Sequence, residues 1–346
     1  MPTIKDIASA AGVSVATVSY VLNDTRYVSP DKKERVLRAI RELNYVPNAV
    51  ARGLRVRESK TISLIVSDIT NPFYPDVAKA CEDYAREFGY TVNMVNTGDD
   101  PQRLAGALEQ LRKGKVDGAI VTTAMEADRE LLRQLMEEGY PIVVAHRPLE
   151  RFAGDMVVSD NYRGGVLAAN HLLGLGHTRI ALMTGVPGST VSLLREQGYE
   201  DAMREAGVEV RPEWLISGEA KYAPSFQATR ALLQLPQDIR PTAVINISDI
   251  GALGILDAAY DLGVEVPGEL AVVGFDDLFI AASRCVQLTT VKIPRYEIGR
   301  TATELLLKRI AGGKPERSEL LTLPVELVVR RTCGSQTSEY NVSEET

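Results

Sequence analysis

The chain has 346 residues, 45% hydrophobic and 25% charged, with a formal net charge of −7. That length exceeds one small core and suits two or three domains, with ample apolar side chains to fill them. No apolar run of about 18 residues occurs, which excludes a membrane-spanning helix, and the three scattered cysteines Cys81, Cys285 and Cys333 form no CxxC, which argues against a disulfide framework or a cysteine zinc site.

The N-terminus, MPTIKDIASAAG, lacks the basic start and unbroken apolar stretch of a secretory signal, so the expected location is cytoplasmic. Apolar residues then fall at helical spacing: Ile4, Ile7, Ala8 and Ala11, an interruption at Gly12 and Val13, then Val15, Val18, Val21 and Leu22. The spacing predicts helix, tight turn, helix. Gly12 can take the positive φ that ends the first helix, and Ser14 can cap the second. A third helix is predicted from "VSPDKKERVLRAIRELNY", with Ser29 as cap, Pro30 at the first helical position and Val36, Leu37, Ile40 and Leu43 on one face.

"PNAVARGLRVRESK" follows, basic and only marginally helical, since Gly53 costs roughly 1 kcal/mol relative to Ala. Residues 1–60 carry eleven Lys/Arg against six Asp/Glu, a balance of +5 that leaves −12 for the rest. A small basic head on a large acidic body points to a head that meets phosphate.

Beyond Lys60 apolar runs such as "ISLIVSDI", "YTVNMVNT", "RIALMTG" and "ELAVVGFDD" alternate with helix-period stretches. Such βα alternation builds open parallel sheets with ligand sites at the carboxyl ends of the strands, and about 270 residues of it implies two α/β lobes. The last residues, "GSQTSEYNVSEET", are polar and aperiodic, the composition of a disordered tail.

Enzyme signatures are missing. "TGVPGST" lacks the GxxxxGK[ST] spacing of a phosphate loop, and neither GxGxxG nor GxSxG occurs. His171 and His177 are six apart, wrong for adjacent ligands on one helix face, so no catalytic residue, metal or cofactor is expected.

The segments "TIKDIASAAGVSVATVSYVLN", "RVLRAIRELNYVPNAVARGLR", "IVSDITNPFY", "LLGLGHTRIALMTG", "ISDIGALGIL", "AVVGFDD" and "LTTVKIPRYEIGRTATELLL", in that order, resemble the lactose-repressor and galactose-repressor (LacI/GalR) transcription regulators over residues 3–333. The resemblance implies an all-α helix-turn-helix head (1–46), a hinge helix and linker (47–60), an α/β core (61–333) and a disordered tail (334–346). The core would be two doubly wound parallel-sheet lobes, like periplasmic binding proteins. The chain would cross between them near Asp160–Asn161, Leu288–Lys292 and Leu323–Pro324, giving an N-lobe of about 61–161 and 292–323 and a C-lobe of about 162–290 and 324–333. The implied function is a repressor that binds a palindromic DNA operator as a homodimer and is controlled allosterically by a small molecule, a sugar or sugar derivative.

In a helix-turn-helix the second helix enters the major groove, which makes Val15, Ala16, Thr17 and Tyr20 the expected reading surface. Thr17, Ser19 and Asn23 are short donors for phosphates and base edges, Ser14 starts the reading helix, and Thr3 sits where a similar head touches backbone. Val15 also admits a plain core reading. By the same resemblance Leu54 wedges into the minor groove, where Asn48, Ala51 and Arg55 line it.

The family pattern assigns effector contacts to Ser67, Asp68, Phe73, Tyr74, His146, Arg195, Ser248 and Asp276. Arginine and carboxylate in one cleft suit a polyhydroxylated ring whose apolar face an aromatic covers. His146 stands where relatives often have Asp, and Ala220 where the purine repressor stacks an aromatic; with Arg195 and a protonated His146, a sugar phosphate or acid stands beside a neutral sugar. Two other readings are a transporter's solute-binding protein, which shares the core fold, and an activator in place of a repressor.

Overall fold

A computed structural model describes residues 2–23, 26–45, 58–312 and 318–335, and the chain divides into two compact units, Met1–Ser59 and Lys60–Thr346. Asn48, Ala51, Leu54 and Arg55, and residues 336–346 of the expected tail, lie outside the described residues.

In the first unit three helices, Ile4–Ala11, Val15–Asn23 and Pro30–Glu42, enclose Ile7, Ala8, Ala11, Val18, Val36 and Ala39. The Asp6 carboxylate accepts from the Thr3 N–H (2.6 Å) and hydroxyl (2.8 Å), fastening the first helix at its start. Gly12 adopts φ 61°, and the Val13 N–H reaches back to the Ala8 carbonyl at 3.0 Å, so the chain turns within two residues. Ser14 caps the second helix by accepting from the Thr17 N–H at 3.1 Å. Ser29 holds the cap position of the third but accepts no capping bond; Pro30 starts that helix through its fixed φ. Leu37 and Leu43, expected inside, are exposed. Leu37 lies about 100° around the helix from Val36, Leu43 follows the last helical residue, and Ala39 takes the inner position.

The second unit contains twelve strands among the described residues: β1 (Thr61–Val66), β2 (Thr91–Asn96), β3 (Gly118–Val121), β4 (Ile142–Ala145), β5 (Asp155–Ser159), β6 (Ile180–Thr184), β7 (Leu215–Ser217), β8 (Ala243–Asn246), β9 (Ala271–Asp276), β10 (Thr289–Lys292), β11 (Leu320–Leu323) and β12 (Glu326–Val328). They form two six-stranded sheets, ordered β11-β5-β4-β3-β1-β2 and β12-β10-β9-β8-β6-β7. The first is parallel throughout; in the second, β12 runs antiparallel to β10 at the edge. β3, β4, β8 and β9 are buried along their whole length, as strands covered by helices on both faces must be.

The chain leaves the first sheet at Asp160, where the helix Asn161–Gly174 begins against the second. It returns after Lys292, because all of β10 pairs with Val273–Asp276 of β9; the return therefore falls at Ile293–Pro294, later than the expected Leu288–Lys292. The helix Arg295–Gly312 then packs on β3, β4 and β5 and on the helix Phe73–Glu87. The last crossing separates Leu323 from Glu326.

One close helix contact matters for the site. The helices Asn161–Gly174 and Thr190–Glu205 meet at Gly165 and Gly198, where an added Cβ would lie 2.2 Å from the Arg195 carbonyl oxygen and 2.1 Å from that of Tyr162. Only glycine permits this approach, which sets Arg195 beside Asn161.

Candidate functional site

On the first unit, Val15 is 37% exposed and Ala16 is exposed, whereas Val18 is buried. Val15 is therefore on the outer face and the core reading of it fails. Thr17, Ser19 and Tyr20 are half-buried. The Arg26 guanidinium lies 5.4 Å from the centre of the Tyr20 ring, a cation–π contact that steadies the phenol. The Thr17 hydroxyl is 2.9 Å from that of Ser14, and the bonds from Thr3 hold the Asp6 carboxyl below its usual range. Asn23 ends the helix.

On the second unit, Ser67, Asp68, Phe73, Tyr74, His146, Arg195, Ser248 and Asp276 all line one cavity of about 310 Å³. Their positions explain the convergence. Ser67 and Asp68 follow β1, His146 follows β4, Ser248 follows β8 and Asp276 ends β9, so the carboxyl ends of both sheets face one space. Phe73 and Tyr74 open the helix after β1 and bring aromatic surface.

The Ser67 and Tyr74 hydroxyls are 2.7 Å apart, and the Phe73 and His146 rings sit 4.4 Å centre to centre. Arg195 donates from Nε to the Asn161 carbonyl oxygen of the side chain at 3.0 Å and from Nη1 to the Ile247 carbonyl at 2.6 Å. Its Nη1 lies 3.9 Å from an Asp276 carboxylate oxygen, and its Cζ lies 4.4 Å from the centre of the Phe275 ring, a cation–π contact. The Ser248 hydroxyl donates to the Ala220 carbonyl at 3.1 Å and accepts the Gly251 N–H at 3.0 Å, capping the next helix. Asp68 is engaged locally, accepting from the Thr70 N–H and hydroxyl at 2.9 and 2.7 Å.

Burial dominates the electrostatics. It lowers the Arg195 guanidinium to about 10, which leaves it charged at neutral pH. Burial also raises the Asp276 carboxyl, opposed by Arg195 and Arg295, and raises Asp249, to which the nearby Asp276 charge adds. The His146 ring is pushed well below the usual value, first by burial and then by Arg195 and Arg147. A protonated His146 is thus corrected to a neutral one, since burial disfavours the cation and two guanidinium groups repel it.

Several groups at the cavity or behind its wall escaped the sequence reading. Arg147 is buried and forks onto Asp99 at 2.7 and 3.2 Å. Asn161 orients Arg195, and Asp249 accepts from the Leu278 N–H (2.7 Å) and the Thr290 hydroxyl (2.6 Å) behind Asp276. Asp276 itself has φ 107°, a strained conformation for a non-glycine residue. Arg295 steadies it, donating to the Asp276 and Asp277 carbonyls while pairing with Asp76 at 2.8 Å.

Comparison with known proteins places this geometry. The pattern of "Bacterial regulatory proteins, lacI family" matches residues 3–48, and that of "Periplasmic binding protein-like domain" matches residues 169–333. The HTH-type transcriptional repressor PurR of Histophilus somni (strain 129Pt) is 34% identical over 332 residues, covering 96% of this chain and 99% of the relative. The chain belongs to the LacI family. The ribose operon repressor of Escherichia coli (strain K12) is 36% identical over 330 residues, 94% of this chain and 98% of that protein. The lac repressor dimer bound to operator and the anti-inducer ONPF superposes with a TM-score of 0.83 at 29% identity, over 96% of this chain and 98% of that one.

As a LacI-family member the chain is a DNA-binding transcriptional repressor with an effector-binding core, not an enzyme. The solute-binding reading falls with it, and DNA binding assigns its place of action to the cytoplasm. Among the described residues no helix is long and apolar enough to cross a membrane.

Proposed function

We propose that this repressor binds a palindromic operator as a homodimer and releases or grips it according to a sugar held in the cavity of the core. Val15, Ala16, Thr17 and Tyr20 meet base edges, with Val15 and Ala16 suited to thymine methyl groups. Thr3, Ser14, Ser19 and Asn23 meet phosphates, and Asn48, Ala51, Leu54 and Arg55 of the hinge enter the minor groove. The head is residues 1–46, the hinge 47–60 and the core 61–333.

The observation that carries the effector reading is the convergence of eight polar and aromatic side chains from both lobes on one cavity. A ligand touching Ser67, Phe73 and His146 on one side and Arg195, Ser248 and Asp276 on the other ties the two lobes together. By linkage it alters operator affinity by the factor by which operator alters its own. Two heads on a palindrome require two chains.

Selection of operators from bacterial genomic DNA, with and without candidate sugars, tests the reading. The expected outcome is a palindromic consensus whose retention depends on one sugar, bound by a species of twice the chain mass in sedimentation. A monomeric species, or selected sequences without symmetry, contradicts it.

A further inference from the structure

Among the described residues, two buried polar atoms on residues that line the cavity have no partner: Nδ1 of His146 and Nη2 of Arg195. They belong to opposite lobes, His146 on the loop leaving β4 and Arg195 in the helix Thr190–Glu205. Buried polar groups without partners are rare in native proteins, and two of them on residues that line one cavity point to a ligand that completes both.

The charges around that cavity narrow the ligand further. Among the described residues, each cationic side chain of the wall faces a carboxylate. Arg147 is forked onto Asp99 at 2.7 Å, Arg195 lies 3.9 Å from Asp276, and Lys221 pairs with Glu219 at 3.1 Å. Asp68 adds one more carboxylate to the lining. A phosphate or carboxylate entering here gives up its hydration and meets only cations that are already compensated. A hydroxyl loses far less and can donate or accept.

We infer, resting on the sugar reading above, that the effector is an uncharged monosaccharide and that His146 is a specificity-determining residue, its Nδ1 bonding one ring hydroxyl while Arg195 Nη2 bonds another oxygen. The groups facing His146 are Phe73, Tyr74, Arg147 and Arg195, none of which supplies a negative charge to stabilise an imidazolium. A neutral imidazole can present Nδ1 as donor or acceptor to a hydroxyl, whereas an anion can only accept. The cavity, about 310 Å³, stands at the small end of the roughly 300–1,000 Å³ typical of ligand pockets, which favours one ring over two.

Calorimetric titration of the full chain near neutral pH tests this with D-ribose, D-glucose and D-galactose, their phosphate esters and the corresponding sugar acids. The expected result is that an uncharged sugar binds and that its phosphate ester and acid bind at least roughly 100-fold more weakly. His146→Phe keeps a ring against Phe73 and should weaken that sugar roughly 10- to 100-fold. A phosphate or acid that binds as tightly as its parent sugar overturns the inference but leaves the cavity reading standing. Absence of binding by every compound overturns the sugar reading and this inference together. Nitrogen NMR of the imidazoles in the wild-type chain removes dependence on the variant's folding. The His146 Nδ1 resonance should shift on saturation with the bound sugar, and an unmoved resonance rules out the contact.

Discussion

The proposed reading helix and the proposed effector cavity present their side chains in opposite ways. Val15 and Ala16 stand exposed on a helix whose Val18 packs into a small core with Ile7, Ala8, Ala11, Val36 and Ala39, and the Tyr20 ring is braced by one arginine. Arg195, Ser248 and Asp276 are buried, each bonded to a group from another element: Asn161, the Ala220 carbonyl and the Arg295 guanidinium. A surface that meets a DNA groove gains specificity from shape and side-chain identity, so its residues can change without unfolding the head. A cavity that desolvates charge makes specificity and stability inseparable, because each charged group depends on its neighbour.

That contrast is breakable. Arg195→Met removes the cation beside Asp276 and should destabilise the core by about 3–5 kcal/mol in denaturant unfolding while abolishing sugar binding; full stability in the variant would show that the pair does not couple site to fold. Gly198→Ala forces a Cβ against the Tyr162 carbonyl and should cost about 1–3 kcal/mol, with Arg195, one turn earlier, displaced and ligand affinity reduced in the same preparation.

A smaller effect comes from pH. The His146 ring is held well below the usual 6.5, so as pH falls below that value the unfolded chain takes up a proton the folded chain does not. The stability that the neutral ring supplies is complete above 6.5 and declines below it, by up to about 1.4 kcal/mol per pH unit. Wild type should therefore lose stability more steeply than His146→Phe between neutral and mildly acid pH, and parallel curves would contradict the buried neutral ring. At the other pole, Tyr20→Ala should shift head stability by only about 0.5 kcal/mol yet relax base preference at one half-site position. Unchanged selected sequences would remove Tyr20 from the reading surface.

Much of this was legible in local pattern. Gly12 and Ser14 mark the turn because a positive φ and a helix cap each demand particular residue types within a few positions. Ser67, Asp68, His146, Ser248 and Asp276 sit at or just after strand ends, which βα alternation exposes, whereas Phe73, Tyr74 and Arg195 lie on helices, where only the family's motifs pick them out. Other groups left no local trace. Arg147 finds Asp99 across 48 positions, Arg195 finds Asn161 across 34, and Arg295 finds Asp76 across 219, separations that only the folded topology closes. The second crossing fell late for the same reason, since β10 takes its place by pairing with β9 and not by its own composition. The neutral state of His146 depends on burial and on two arginines, one of them distant in sequence, so the residue type alone pointed to the wrong charge.

One pair of titrations probes the linkage between operator binding and sugar binding. Operator affinity of the full chain is measured with and without a saturating uncharged sugar, and affinity for that sugar is measured with and without saturating operator. Both affinities should change, in the same direction and by the same factor. A sugar that binds the cavity and leaves operator affinity unchanged would contradict that linkage.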